Sequence, residues 1–302
     1  MKRRAFIGVM AASSLRAAQA ELRVAVNETT IESAPLFLNS VPGVRVIPVP
    51  NGRAASAQLV RGTVDAATGS ETQALLNSVA QPDLRIVLTL AECRYRMVAR
   101  GPAVRRVADL RGKRVATTLN TSAHYFLAEM LRTAQMKESD VQVVAMEGPA
   151  MPGALAKAEV DAIAIWEPHA QNAIETLGGD AQVLQDPWVY FERFNLNTTN
   201  RVLRDRGKRR VLVNLIRAVR GVSLERPEQV ASLSKAIATP ERVIAAVRGQ
   251  FRFPAELDAG SLQPVLEAME PWAAALAKRT PRQRETLAGL LDSSVWREAE
   301  AG

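Results

Sequence analysis

At 302 residues with 47% hydrophobic side chains, the chain is long enough to bury a sizeable core and to form two compact lobes. A charged fraction of 23% without low-complexity tracts excludes a disordered polymer. The formal net charge of +8 is scattered, mostly near acidic residues, and forms no basic stripe interleaved with aromatics. Nucleic acid is therefore not an expected partner.

The N-terminus has three parts. Lys2, Arg3 and Arg4 precede an apolar run over residues 5–15, and Ala18-Gln19-Ala20 is a small-x-small cleavage site. This predicts a secretory signal peptide over residues 1–20. Its apolar run is too short to span a bilayer. Arg3-Arg4-Ala5-Phe6-Ile7 fits twin-arginine export, and Sec export is equally compatible. Cleavage would remove Lys2, Arg3, Arg4 and Arg16 and no acid, taking the net charge from +8 to +4. The lone cysteine, Cys93, excludes an internal disulfide, and no cysteine near the cleavage site offers a lipid anchor. His124 and His169 are too few and too separate for a metal cluster, so neither metal nor cofactor is expected.

Residues 22–26 alternate as a first strand, and Asn27-Glu28-Thr29-Thr30 is a polar loop before a short helix that includes residues 34–38. Strands follow at 44–49, 64–68 and 84–90, separated by helices at 52–60 and 70–79. After residues 91–100 the alternation restarts. Strands are predicted at 113–117, 141–145 and 161–166, with helices at 122–134 and 153–158. Pro168 opens a further helix, which Gly178-Gly179 ends, and residues 183–184 close this half. This is the grammar of open, mainly parallel sheets.

An internal echo supports two lobes. Leu59-x-Arg61-x-x-Val64-Asp65-Ala66 recurs 96 residues later as Leu155-x-Lys157-x-x-Val160-Asp161-Ala162, at the same stage of each half. The aromatic cluster Trp188, Tyr190, Phe191 and Phe194 then leads into a mainly helical tail, with segments at 209–225, 227–238, 240–250, 261–278 and 281–291. Too few strands remain for a third sheet, so this tail is expected to pack on the first lobe. Its basic run over 201–210 reads as a solvated turn between helices.

Thr118-Leu119-Asn120-Thr121-Ser122 joins a strand to a helix. The backbone N–H groups there, with the positive end of the helix dipole, suit a carboxylate, sulfonate or phosphate. A plain helix cap fits the same residues. Trp166-Glu167-Pro168 lies at the C-terminal edge of a strand, where open sheets bind ligands. Trp166 would supply an apolar wall and Glu167 an acceptor, or Trp166 fills the core. Arg94 and Arg96 face one side of an extended segment and either grip an anion or bridge the lobes. There is no nucleophile elbow, phosphate loop, dinucleotide fingerprint or metal spacing, and no enzyme is expected. Glu92 and Glu147 have no evident partner.

Residues 109–115 (DLRGKRV), 120–126 (NTSAHYF), Val160-Asp161-Ala162 and Trp166-Glu167-Pro168 together resemble periplasmic substrate-binding proteins of ABC transporters, in the nitrate, sulfonate, taurine and thiamine-precursor group. The resemblance implies a two-lobe type II periplasmic-binding-protein fold with the ligand held between lobes that close by a hinge. Lobe 1 would comprise residues 21–93 and 190–302, and lobe 2 residues 94–189, with crossings near 94–99 and 187–191. It implies a monomer, free in the periplasm, that delivers a small polar molecule to an inner-membrane permease. The alternatives are a dehydratase or lyase of cofactor biosynthesis and a sensory subunit on the same fold. The site is expected to draw on Asn27, Glu28, Thr29, Ser70, Arg94, Asn120, Thr121, Ser122, Trp166, Glu167 and Trp188. Glu28 would repel a simple anion, which favours a zwitterion, an amine, or a heterocycle stacked on Trp166 or Trp188.

Overall fold

The computed structural model describes residues 20–186 and 189–301. The expected signal peptide therefore lies outside the described residues, apart from its last position, and so does Trp188. The strands are β1 (Leu22–Asn27), β2 (Val44–Val49), β3 (Ala66–Ser70), β4 (Leu84–Arg94), β5 (Arg96–Arg100) and β6 (Arg114–Thr117). They continue as β7 (Gln142–Ala145), β8 (Ala162–Ile165), β9 (Ala181–Leu184), β10 (Phe191–Thr199) and β11 (Phe251–Arg252). The first helices are α1 (Ala34–Phe37), α2 (Gly52–Val60), α3 (Glu71–Asn77), α4 (Ser122–Thr133), α5 (Met151–Ala156) and α6 (His169–Leu177). After β10 come α7 (Asn200–Arg204), α8 (Arg206–Ala218), α9 (Pro227–Ala236), α10 (Glu241–Val247), α11 (Ala259–Leu276), α12 (Arg284–Ala288) and α13 (Ser294–Glu300).

Two sheets form, ordered β2-β1-β3-β10-β4-β11 and β7-β6-β8-β5-β9. Both follow one plan. In each sheet three strands run parallel, and the next is an antiparallel strand that has crossed from the other sheet: β10 beside β3, and β5 beside β8. The chain passes from the first sheet to the second at Tyr95, and back between Leu184 and Phe191.

The Val-Asp-Ala echo has a physical basis in this plan. Asp65 accepts from the backbone N–H of Arg23 (3.0 Å), and Asp161 accepts from that of Arg114 (2.8 Å). Each arginine also returns its Nε–H to the same carboxylate. The carbonyls of Arg23 and Arg114 accept from the N–H of Asp65 and Asp161. These reciprocal bonds fix the register, which is Val24 opposite Ala66 in one sheet and Val115 opposite Ala162 in the other.

The sequence missed β10. Its residues, FERFNLNTT, look like a polar loop, yet Asn195, Asn197, Thr198 and Thr199 are buried between β3 and β4. Two of them find partners there: Thr89 Oγ1 donates to Asn195 Oδ1 (2.9 Å), and Thr198 Oγ1 donates to the Asp65 carbonyl (2.7 Å), whereas Asn197 Oδ1 and Thr199 Oγ1 are buried without one. Hydrogen-bonded burial of this kind removes the cost that polar side chains otherwise meet in a central strand. The expected strand at 84–90 also runs on to Arg94.

Around the crossings, rings pack edge to face. Tyr95 meets Phe126 (5.6 Å) and Tyr190 (5.4 Å), while Tyr125 meets Tyr190 (5.4 Å) and Trp272 of α11 (5.3 Å). Such pairs contribute about 0.5–1.5 kcal/mol each beyond their buried area. In the tail α8 contacts β1, α13 contacts β4 and α11 lies on α3, while α10 contacts α6 of the second half. Arg282 staples α11 to α3, donating to Ser78 Oγ and the Leu75 carbonyl while also binding Glu270. Burial alone would raise the Glu270 carboxyl, but Arg279 and Arg282 pull it down to about 2.

Candidate ligand-binding site

The C-terminal ends of the parallel strands from both sheets face a common cleft with about 440 Å³ of empty space. The first lobe contributes Asn27, Thr30, Glu32, Asn51, Gly52, Arg53, Ser70 and Gln73, and the second contributes Thr118, Thr121, Ser122, Glu147 and Trp166. Tyr95, Glu192 and Phe194 reach it from the crossing strands.

Each loop is shaped by local bonds. Asn27 Oδ1 accepts from the N–H and hydroxyl of Thr29 (3.0 Å each), an Asx turn that carries the chain round to Thr30 and Glu32. Asn51 and Ser70 cap α2 and α3, accepting from the N–H of Ala54 (2.8 Å) and Gln73 (3.2 Å). Asn120 has φ of +58°, a left-handed conformation that asparagine tolerates better than most residues. It sets up the start of α4, where no side chain caps the helix. Thr121 instead donates to the Thr118 carbonyl (2.6 Å), and Ser122 bonds the Tyr95 hydroxyl (2.9 Å). The first-turn N–H groups of α4 thus have no side-chain cap, as an anion-binding helix start requires.

Two bonds span the cleft. Arg53 Nη2 donates to Glu147 Oε1 (2.5 Å), and Gln73 Nε2 donates to the Asn120 carbonyl (2.7 Å). Arg53 is the one lysine or arginine among the described lining residues, and this ion pair commits it. The floor is acidic. Glu32 and Glu192 are both almost fully buried, and Glu192 Oε2 receives no hydrogen bond from the protein. Burial, together with the neighbouring Glu192 charge, lifts the Glu32 carboxyl well above the usual range. Burial likewise lifts Glu192 to about 7, against the pull of the Tyr95 and Ser122 hydroxyls. Trp166 Nε1 is also buried without an acceptor.

Of the residues expected from sequence, Asn27, Ser70, Thr121, Ser122 and Trp166 line the cleft. Glu28 is exposed and away from the lining, because the Asx turn carries it out to solvent; the acids facing the cleft are Glu32 and Glu192. Thr29 is engaged in that turn and with the Pro50 carbonyl (3.2 Å). Arg94 is exposed and lies 5.6 Å from the centre of the Phe191 ring, outside the lining. Asn120 contributes its carbonyl to the Gln73 bond rather than its side chain to the lining. Glu167 is turned away, held by Arg96 Nε (2.6 Å) and the Gln171 N–H (2.9 Å). This pair lies within the second lobe, so Arg96 neither faces the cleft nor bridges the lobes.

Sequence reasoning missed Glu32, Gln73, Tyr95 and Glu192. One signal was present: Glu192 and Phe194 stand two apart, on one face of a strand. It becomes usable only once residues 191–199 are read as a strand. Glu147, which had no evident partner in sequence, has Arg53.

A family model described as NMT1/THI5 like matches residues 43–218, more than half of the chain. The chain belongs to the NMT1/THI5-like family. Among its relatives, a putative aliphatic sulfonates-binding protein of Escherichia coli (strain K12) is 36% identical over 90 residues, 30% of this chain and 28% of that protein. The taurine-binding periplasmic protein of the same strain is 35% identical over 78 residues, 26% of this chain and 23% of that protein. The NMT1/THI5-like chain thus spans less than a third of the length of these relatives. In solved structures its fold matches the alkanesulfonate-binding protein SsuA from Xanthomonas axonopodis pv. citri bound to MOPS. The TM-score there is 0.72 at 20% identity, covering 90% of this chain and 98% of that one. The periplasmic aliphatic sulphonate binding protein SsuA from Escherichia coli gives 0.70 at 22% identity, with 88% and 97% covered. At these identities the likeness is one of fold: two α/β lobes with a cleft between them.

Proposed function

We propose that this NMT1/THI5-like chain is a solute-binding protein: it captures a small polar molecule in the periplasm and passes it to an ABC importer of the inner membrane. One observation carries the reading. Loops from both sheets converge on a cleft whose buried Glu192 oxygen and Trp166 Nε1–H lack protein partners. Unsatisfied buried polar atoms are costly, and a bound solute that supplies a donor and an acceptor would satisfy both. The uncapped start of α4 favours an acidic head on that solute, sulfonate or carboxylate, and Trp166 and Phe194 favour a flat or apolar body.

The relatives named for sulfonates and taurine support this reading, as does the three-part N-terminus at Lys2–Arg4, 5–15 and Ala18–Ala20. The protein acts as a monomer and releases its solute unchanged. Mass spectrometry of the small molecules freed on denaturing protein purified from its own host tests the reading. A stoichiometric polar solute is expected. An empty protein that no metabolite stabilises in a thermal-shift screen contradicts solute capture.

A further inference from the structure

The cleft offers much to a cation and little to a lone anion. Its one lining arginine among the described residues, Arg53, is paired with Glu147. Two of its lining carboxyls, Glu32 and Glu192, lie within hydrogen-bonding reach of each other at 1% and 2% exposure. Thr30 donates to Glu32, and Tyr95 and Ser122 stand beside Glu192, yet Glu192 Oε2 takes no bond from the protein.

The groups that face this pair do not neutralise it. From α3, Glu71 adds a further buried acid, held by the Tyr190 hydroxyl (2.6 Å) and the Arg193 N–H (2.9 Å). From the end of β8, Glu167 is bound to Arg96, the arginine of β5. From β4, Cys93 is buried, and burial drives its thiol well up. From β10, the Arg193 side chain turns toward Glu92 (3.7 Å) and the ring of Phe191 (5.4 Å). Two carboxyls this close and this buried cannot both ionise without a counter-charge, so one proton stays between them in the empty protein.

We propose that the solute presents a cationic nitrogen head, an ammonium, amidinium or protonated amino-heterocycle, to Glu32 and Glu192, and that where both carboxyls are protonated its binding releases the Glu192 proton to solvent. The inference deepens the solute-binding reading and rests on it. The nitrogen N–H groups supply the donor that Glu192 Oε2 lacks, and the positive charge replaces the proton's. No other step is needed: one N–H hydrogen bond forms, one proton leaves, and the carboxyl pair gains one negative charge that the head balances.

The proton linkage has a defined sign. Below about neutral pH Glu192 carries a proton as well as Glu32, and a cationic head must displace it, so the head binds more weakly there. Affinity falls by about tenfold for each pH unit below that point, as expected for one released proton. A purely anionic solute shows the opposite trend.

Titrations with taurine, guanidinium and 4-aminopyridinium, against ethanesulfonate and acetate, test this at about pH 6 and about pH 8. Taurine and ethanesulfonate differ only in the ammonium. The expected result is binding by a cationic-nitrogen probe, stronger at the higher pH and weakened roughly tenfold or more in Glu192→Gln and Glu32→Gln. Both variants should keep or raise their melting temperature, because each removes a repelling buried carboxyl. Binding by ethanesulfonate or acetate as tight as by taurine, or unchanged affinity in both variants, overturns the inference. Where no probe binds, the solute freed from host-purified protein decides. A basic nitrogen in it upholds the inference, and its absence overturns the inference while leaving solute capture intact. Protein that carries and binds nothing overturns both.

Discussion

Asp65 and Asp161 make the same bonds in two sheets but in different surroundings. The Asp65 side chain is fully buried and also takes Lys208 Nζ (2.7 Å), whereas Asp161 is 30% exposed. Removing the buried carboxylate leaves the Arg23 side chain, Lys208 and the Arg23 backbone N–H without their acceptor; for the partly exposed one, water substitutes. Asp65→Ala should therefore cost about 3–5 kcal/mol of unfolding free energy. Asp161→Ala should cost about 1 kcal/mol. Denaturant melts of the two variants check this, and equal costs would contradict the burial argument. The Val-Asp-Ala echo was legible in sequence because it is local. Its arginine partners were not, because they lie 42 and 47 residues away and only the sheet brings them together. The acid of the cleft was misplaced for a related reason. Glu28 sits beside an evident loop, whereas Glu32 and Glu192 reveal themselves only through burial.

Among the elements, the parallel strands and their helices were legible because period and punctuation agree in them. β10 was not, because its apolar alternation is replaced by buried asparagines and threonines, of which Asn195 and Thr198 bond to Thr89 and to the Asp65 carbonyl. The loop after β7 shows how tightly an element end can be set. A Cβ added to Gly148 would stand 2.6 Å from His169 Cδ2. His169, which burial lowers to about 4 and so keeps neutral, packs edge-on to Trp166 (6.2 Å). Gly148→Ala should push His169 into Trp166, costing about 1–3 kcal/mol. Solute affinity should drop with it. Urea melts and a solute titration read the two effects, and a variant with normal stability and binding would show that the contact yields freely.

At the scale of the whole molecule, the buried acids set a pH dependence. Burial raises Glu71 to about 8 and Glu192 to about 7, and burial with the neighbouring Glu192 charge raises Glu32 well above the usual carboxyl range. Unfolded, each has a pKa of about 4.3. Between these limits the folded state binds more protons than the unfolded one, so stability falls as pH rises. The solute-free protein should melt at a higher temperature near pH 5.5 than near pH 8.5, estimated from that window. Glu192→Gln should flatten part of that slope, and a melting temperature that rises with pH would contradict the assignment. Arg53–Glu147 and Gln73–Asn120 tie the two lobes at the cleft mouth, and the rings around Tyr95 and Tyr190 tie them at the crossings. Closure over a solute thus has contacts at both ends of the cleft.

A crystal structure of the protein loaded with its host-derived solute tests the central claim most directly. The account predicts density between the sheets, with a nitrogen within hydrogen-bonding distance of Glu192 Oε2 and an acidic head at the first turn of α4. Solute bound outside the cleft, such as in the groove lined by Glu92, Arg193 and Arg252, would contradict it.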